Sequence, residues 1–409
     1  MAQNFSTKDF FRQMPNALLA RYFHAKGLMA ELDFSAMKEA KPDALFNAWL
    51  ALPDATRSQV DAELRDIHAL CNEKGWLAIA DEAQWQLSAE PEKLGNLLAV
   101  MAALPGHHDR AMLTFLDYLA CWKGASRFHH SDTLTYWKKR KNLPKSPAAV
   151  DPESLTRLSD RIKAYFKSTE GRGQNCVVEP FRRGNKDYFF AFPEDHSLTS
   201  IEWQAGEFNA RPHNPAFEIV FVYSQADGTL DLNFRGNNKV VAALQEIFAQ
   251  TILKLEALPP DPKDNRVYDL APLMKPDFEF SFGVGSGIQR AVVKKLRLVS
   301  RFDSAERITL EADSSLDPLA IYGLLDRIGK AVPLGLYNVS QVEISALMAG
   351  VDGKPPKRTS FRITYPNSCS LKYEAADLNL RAMLEQSGIE PLAPALVVVA
   401  VKKSAALAQ

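Results

Sequence analysis

Apolar residues recur at helical spacing through the first 120 residues. After Pro15, the run NALLARYFHAKGL sets Leu18, Leu19, Tyr22 and Phe23 on one face. Pro53-Asp54-Ala55-Thr56 reads as a helix start ahead of Val60, Leu64 and Ile67, with Gly75 as its stop. A third run covers Asn96 to Leu104 and halts at Pro105-Gly106. His108-Asp109 opens a fourth, which buries Met112, Leu113, Phe115, Leu116, Leu119 and Ala120 and ends at Gly124. Short connections between such runs predict an all-α bundle over residues 1–145.

The stretch RFHHSDTLTYWKKRKNLPK, residues 127–145, follows. Ser131-Asp132 reads as the cap of a short helix whose last turn is Lys138-Lys139-Arg140-Lys141. A helix C-terminus favours such cations by about 0.3–1 kcal/mol each. Asp151-Pro152 then starts another helix, with aspartate as N-cap and proline in the first turn. Leu155, Leu158, Ile162, Tyr165 and Phe166 form its apolar face, and Arg157, Arg161, Lys163 and Lys167 its other side. Gly171-Arg172-Gly173 breaks it, so residues 146–173 read as a basic helix and hinge.

Beyond Gly173 the period changes from helical to alternating. Cys176–Phe181 and Asp187–Phe192 pair as a hairpin around residues 183–186. A strand–strand–helix pattern then recurs near residues 217–255, 292–329 and 361–388. An isolated hairpin is marginal in water and needs a helix as cover. The expected architecture is therefore α+β: an N-terminal all-α bundle, then a larger antiparallel α+β domain over residues 174–403 built from these units, rather than a doubly wound parallel sheet. Ala393 to Val401, the longest apolar run, reads as a buried strand, since a bilayer span takes about 20 residues.

Composition narrows the function classes. The chain has 409 residues, 46% of them hydrophobic, and a formal net charge of zero. That neutrality hides a segregation: residues 1–120 carry −5, residues 121–187 carry +8 and the remainder −3. The N-terminus lacks the basic and apolar regions of a secretory signal. Cys71, Cys121, Cys176 and Cys369 are far apart, with no CxxC pair, which argues against a zinc finger or a disulfide framework and for a reducing cytoplasm.

Few motifs carry chemistry. The histidine pairs at 107–108 and 129–130 lie at opposite ends of one helical run and show no HExxH pattern, so no metal is expected. Glu194-Asp195-His196, with His213 a hairpin away, is the best acid–base candidate, but it sits in a turn after Pro193 where such residues make local hydrogen bonds. Phe282-Gly283-Val284-Gly285-Ser286-Gly287 resembles a phosphate loop, yet no Lys-Ser/Thr pair follows and the next segment reads as a strand. Gly283, Gly285, Gly287 and Arg290 remain a candidate ligand loop. There is no GxSxG elbow, and no cofactor is expected.

The basic middle is the strongest signal. Arg127, Lys138, Lys139, Arg140, Lys141, Arg161, Arg182 and Arg183, interleaved with Phe128, Tyr136, Trp137, Tyr165, Phe166 and Phe181, form the footprint expected of a surface for an anionic partner, nucleic acid or an acidic protein face. The expectation is a non-enzymatic binding or regulatory protein. Two alternatives stand beside it: a protein–protein adaptor, one subunit of a bacterial multi-gene system, marked by an exposed apolar patch, and an enzyme acting on a phosphate-bearing small molecule at the glycine loop.

Overall fold

The computed structural model describes residues 5–204, 206–259, 267–314, 317–350 and 355–390. The run Ala393–Val401 lies outside them. Eight helices come first: α1 (Thr7–Gln13), α2 (Asn16–Ala25), α3 (Asp43–Leu50), α4 (Asp54–Ala69), α5 (Glu73–Gln86), α6 (Pro91–Ala103), α7 (His107–Asp117) and α8 (Leu119–Ser131). Their shared core takes Phe10, Phe11, Leu19, Tyr22, Phe23, Leu64, Ile67, Met112 and Ala125, the residues at helical spacing.

Two glycines expected to stop helices do something else. Gly75 lies inside α5, where an added Cβ would stand 2.2 Å from the Leu70 carbonyl oxygen. Its missing side chain lets α5 start hard against the end of α4. Gly124 lies inside α8, where a Cβ would stand 2.3 Å from the Glu82 carboxyl carbon. The fourth predicted helix is two helices, broken at Tyr118.

The strands are β1 (Trp137–Arg140), β2 (Cys176–Arg183), β3 (Lys186–Pro193), β4 (Leu198–Gln204), β5 (Glu207–His213), β6 (Ile219–Ser224), β7 (Thr229–Asn233), β8 (Ile288–Ser300), β9 (Arg307–Glu311), β10 (Tyr337–Met348), β11 (Lys357–Thr364) and β12 (Ser368–Cys369). Helix α9 (Pro152–Glu170) follows β1, α10 (Asn238–Thr251) follows β7, α11 (Ala320–Gly329) follows β9, and α12 (Ala375–Gln386) follows β12. All three strand–strand–helix units are present. They share one antiparallel sheet of ten strands, ordered β2-β3-β6-β7-β1-β12-β11-β10-β8-β9.

The expected helix ending in Lys138–Lys141 is corrected to strand β1, which stands in the middle of that sheet. Trp137 and Lys138 pair with Cys369 and Ser368 of β12; Lys138, Lys139 and Arg140 pair with Leu232, Asp231 and Leu230 of β7. A local preference of tenths of a kcal/mol for cations at a helix end yields here to two ladders of backbone hydrogen bonds and to burial of the Trp137 ring, 1% exposed. Asp132 is correspondingly not an N-cap but the residue that ends α8.

Each half-sheet has its own core. One packs Phe189, Phe221, Tyr223, Leu230 and Leu232 under α9 and α10; the other packs Leu296, Leu298, Val342, Ile344 and Ile363 with α11 and α12. Helix α9 begins as its sequence indicates: Asp151 accepts a hydrogen bond from the Ser154 amide, and Gly171 ends the helix at φ +70°. The opposite face of the first half-sheet meets the bundle through Phe128, Trp137, Tyr188, Phe190, Val222 and Tyr373.

Candidate functional site

Strand geometry splits the basic run. Successive side chains of a strand point to opposite faces, so Lys139 projects away from Lys138 and Arg140. Lys139 donates to the Glu390 carboxylate at 2.6 Å, with both side chains largely buried. Lys138 donates to the Gly236 carbonyl at 3.1 Å, Arg140 to the Pro259 carbonyl and Lys141 to the Val267 carbonyl at 3.4 Å. Burial lowers the pKa of Lys138 and Lys141. Burial also pulls on Lys139, but Asp231 and Glu390 more than offset it and hold that pKa above the ordinary value.

The other predicted cations are paired inside the fold as well. Arg183, on β2, donates through Nη1 to both Asp132 carboxylate oxygens at 2.9 and 3.0 Å and through Nε and Nη2 to Asp81 at 3.0 and 2.7 Å, with its guanidinium over the Phe128 ring. Arg127 pairs with Glu179 at 2.7 Å and lies over Phe192. Arg182 faces Asp187 at 3.5 Å and lies over Trp85. Arg161 donates to Gln250 across the α9–α10 contact. These residues join the bundle to the sheet and the covering helix α9 to α10. The register sets Arg182 and Arg140 in one transverse row, but four strands apart, about 19 Å at the usual strand spacing.

At the candidate ligand loop, Gly283 and Gly285 have open space around them, and Val284 is fully exposed. Gly287 adopts φ +71° and leads directly into β8, so the backbone amides do not converge on a helix N-terminus. Arg290 lies on β8, paired with Leu347 of β10. In the acid–base trio, Asp195 receives Arg172 at 2.7 Å and its own neighbour's amide, while the His213 ring meets the Ser200 hydroxyl at 2.9 Å. The carboxylate therefore braces the turn rather than orienting a histidine ring.

Two arrangements were not read from the sequence. The first is that the hairpin of β4 and β5 stands apart from the main sheet as a two-stranded ribbon of its own. Its register pairs Thr199 with Pro212, Ile201 with Ala210 and Trp203 with Phe208, so these six residues share one face. Ser200, Glu202, Asn209 and Arg211 share the other. Ile201, Trp203 and Phe208 are 69%, 73% and 62% exposed, and the two aromatic rings meet each other at 5.3 Å. The alternation is visible in LTSIEWQ and EFNARPH; that the apolar face has no cover among the described residues is a tertiary fact.

The second lies in the bundle. His68 near the end of α4, Cys71 just past it and His108 in the first turn of α7 bring one ligand atom each within 4.8 Å of one another. Residues 68 and 108 meet because α4 packs on α7, which no spacing rule registers. Burial holds both imidazoles below the ordinary histidine pKa, His108 at about 4.

Compared with known proteins, the chain matches no family model and no curated protein.

Proposed function

We propose that this chain is a non-catalytic binding subunit, an adaptor that docks a protein partner through the apolar face of the β4–β5 ribbon. The observation that carries the reading is the stripe Ile201–Trp203–Phe208, large apolar side chains more than half exposed on a two-stranded element. A ribbon of this size is marginal alone, and an aromatic face uncovered among the described residues loses stability that a partner surface restores. Aromatic residues of this kind anchor protein interfaces.

Charge selects a protein over the alternatives. The ribbon carries Glu202, Glu207 and Arg211, with Arg211 facing Glu202 at 3.9 Å. A phosphate backbone or an anionic lipid surface calls for an excess of cations beside the aromatic rings. The anionic partner suggested by the basic run draws less support, because those cations already hold carboxylates and carbonyls of the same chain.

The test compares tagged wild-type chain with a Trp203→Ser/Phe208→Ser variant in the native host, with cross-linking mapped by mass spectrometry. A stoichiometric partner cross-linked to residues 198–213 and lost in the variant is the expected result. Identical partners for both proteins would overturn the reading. Sedimentation of the purified chain adds a second arm: a dimer that the double substitution dissolves would assign the ribbon to a second copy instead. Salt-sensitive binding of DNA or RNA that survives the double substitution would favour the anionic partner.

A further inference from the structure

We propose that His68, Cys71 and His108 form a binding site for a zinc-class divalent ion that staples the end of α4 to the start of α7. Two imidazoles and one thiolate are the donor set of a borderline-soft ion, and three protein ligands leave a fourth position for water or a carboxylate. Mutual separations within 4.8 Å must close to about 3.5 Å for bonds of about 2.0–2.3 Å, a side-chain adjustment rather than a backbone one.

The surroundings point to a ligand independently of that spacing. His68 Nδ1 and His108 Nε2 are both buried and make no hydrogen bond. A buried polar atom without a partner is costly, and two in adjoining rings, with centroids 5.9 Å apart, call for a common explanation. Phe5 and Phe10 wall the site, at 5.4 and 6.1 Å from the His68 ring, and Phe10 lies 6.1 Å from that of His108. Such walls exclude bulk water from the ligands, while the partly buried histidines leave the ion a way in. The Cys71 thiol, buried and donating to the Ile67 carbonyl at 3.3 Å, has only this weak contact to give up. Asp109, next to His108 in the chain, is buried and close enough to act electrostatically on Cys71.

Binding balances simply: the Cys71 S–H bond breaks, a sulfur–metal bond forms, and one proton leaves to solvent. No oxidant or reductant takes part.

The experiment uses the full-length chain, reduced and stripped with a chelator, titrated with Co²⁺ and then Zn²⁺. The expected result is a near-ultraviolet thiolate-to-cobalt band that saturates at one equivalent, with tetrahedral visible bands, both erased by one equivalent of Zn²⁺. Replacing Cys121, Cys176 and Cys369 together by serine is expected to leave the band, and Cys71→Ser to remove it. Zinc K-edge absorption of the 1:1 wild-type complex reads the ligand set without any substitution: one sulfur and two imidazoles are expected. Absence of the cobalt band in the wild type, more than one sulfur, or oxygen and nitrogen ligands only would overturn the proposal. Zn²⁺ is also expected to raise the melting temperature of the wild type and not that of His108→Ala; an equal rise in both would count against a staple at this place.

Discussion

The Lys139 ammonium stands 2.6 Å from the Glu390 carboxylate at the junction of the two half-sheets, and both side chains are largely buried. Asp231, also buried, pairs with Lys139 across the β1–β7 ladder. Removing the cation leaves two carboxylates in a low-dielectric seam, a change that costs about 3–5 kcal/mol when a buried pair is broken from one side. Lys139→Ala is therefore expected to lower the urea midpoint sharply. Lys138→Ala, which loses one bond to a carbonyl, is expected to cost about 1 kcal/mol. Equal effects would show that the run acts as a surface and not as a seam.

Glu82 gives a pH dependence with a definite sign. It is 2% exposed, accepts from Gln86 at 2.5 Å and keeps its second oxygen without a partner. Burial pushes its pKa up to about 7, against the pull of Gln86 and Arg183. A folded pKa above the unfolded one favours the protonated fold. The stability from this group is full below pH about 4 and is lost as pH rises through 7. Glu82→Gln is expected to match the wild type near pH 4.5 and to exceed it by about 1–2 kcal/mol at pH 8, read from denaturant midpoints across that range.

Gly75→Ala separates propensity from packing. On propensity alone, alanine inside a helix gains about 1 kcal/mol over glycine. At this position its Cβ would stand 2.2 Å from backbone of Leu70, which has no rotamer to move. The expected outcome is a loss of roughly 2 kcal/mol or more in thermal unfolding. Gly95→Ala in α6, where a Cβ would meet open space, is the matched control and is expected to stabilise.

What was legible in the sequence follows from the range of the forces involved. The period of apolar positions is local, so α2, α4, α6 and the α7–α8 run, the 176–193 hairpin and the three strand–strand–helix units could be read, whereas α1, α3 and α5 were not. The cap at Asp151 and the break at Gly171-Arg172-Gly173 could be read for the same reason. Gly75 and Gly124 were misread because a glycine that ends a helix and one that admits a neighbour look alike in one dimension. Lys138–Lys141 looked like a solvated helix end because nothing nearby in the chain marks Asp231 or Glu390 as its partners. The exposure of Trp203 and the meeting of His68 with His108 likewise depend on how distant elements pack.

Arg183 tests whether the cationic residues of β2 are fasteners. Its Nη1 donates to both oxygens of Asp132, which burial pushes to a pKa of about 6 although Arg183 pulls it down. Arg183→Met keeps volume but leaves that carboxylate buried without its cation. The folded pKa of Asp132 then climbs further above the unfolded value, so the loss grows as pH rises past about 4. We expect about 3 kcal/mol at pH 8 and less at pH 5. Arg183→Lys keeps the charge and loses the guanidinium's simultaneous hold on Asp132 and Asp81, and is expected to fall between wild type and methionine at pH 8. Adding Asp132→Asn to Arg183→Met is expected to restore much of the loss, because the uncompensated charge goes with it. Additive losses in that double variant would mean that the two residues act separately, and the bundle would then be held to the sheet chiefly by Phe128, Tyr188 and their neighbours.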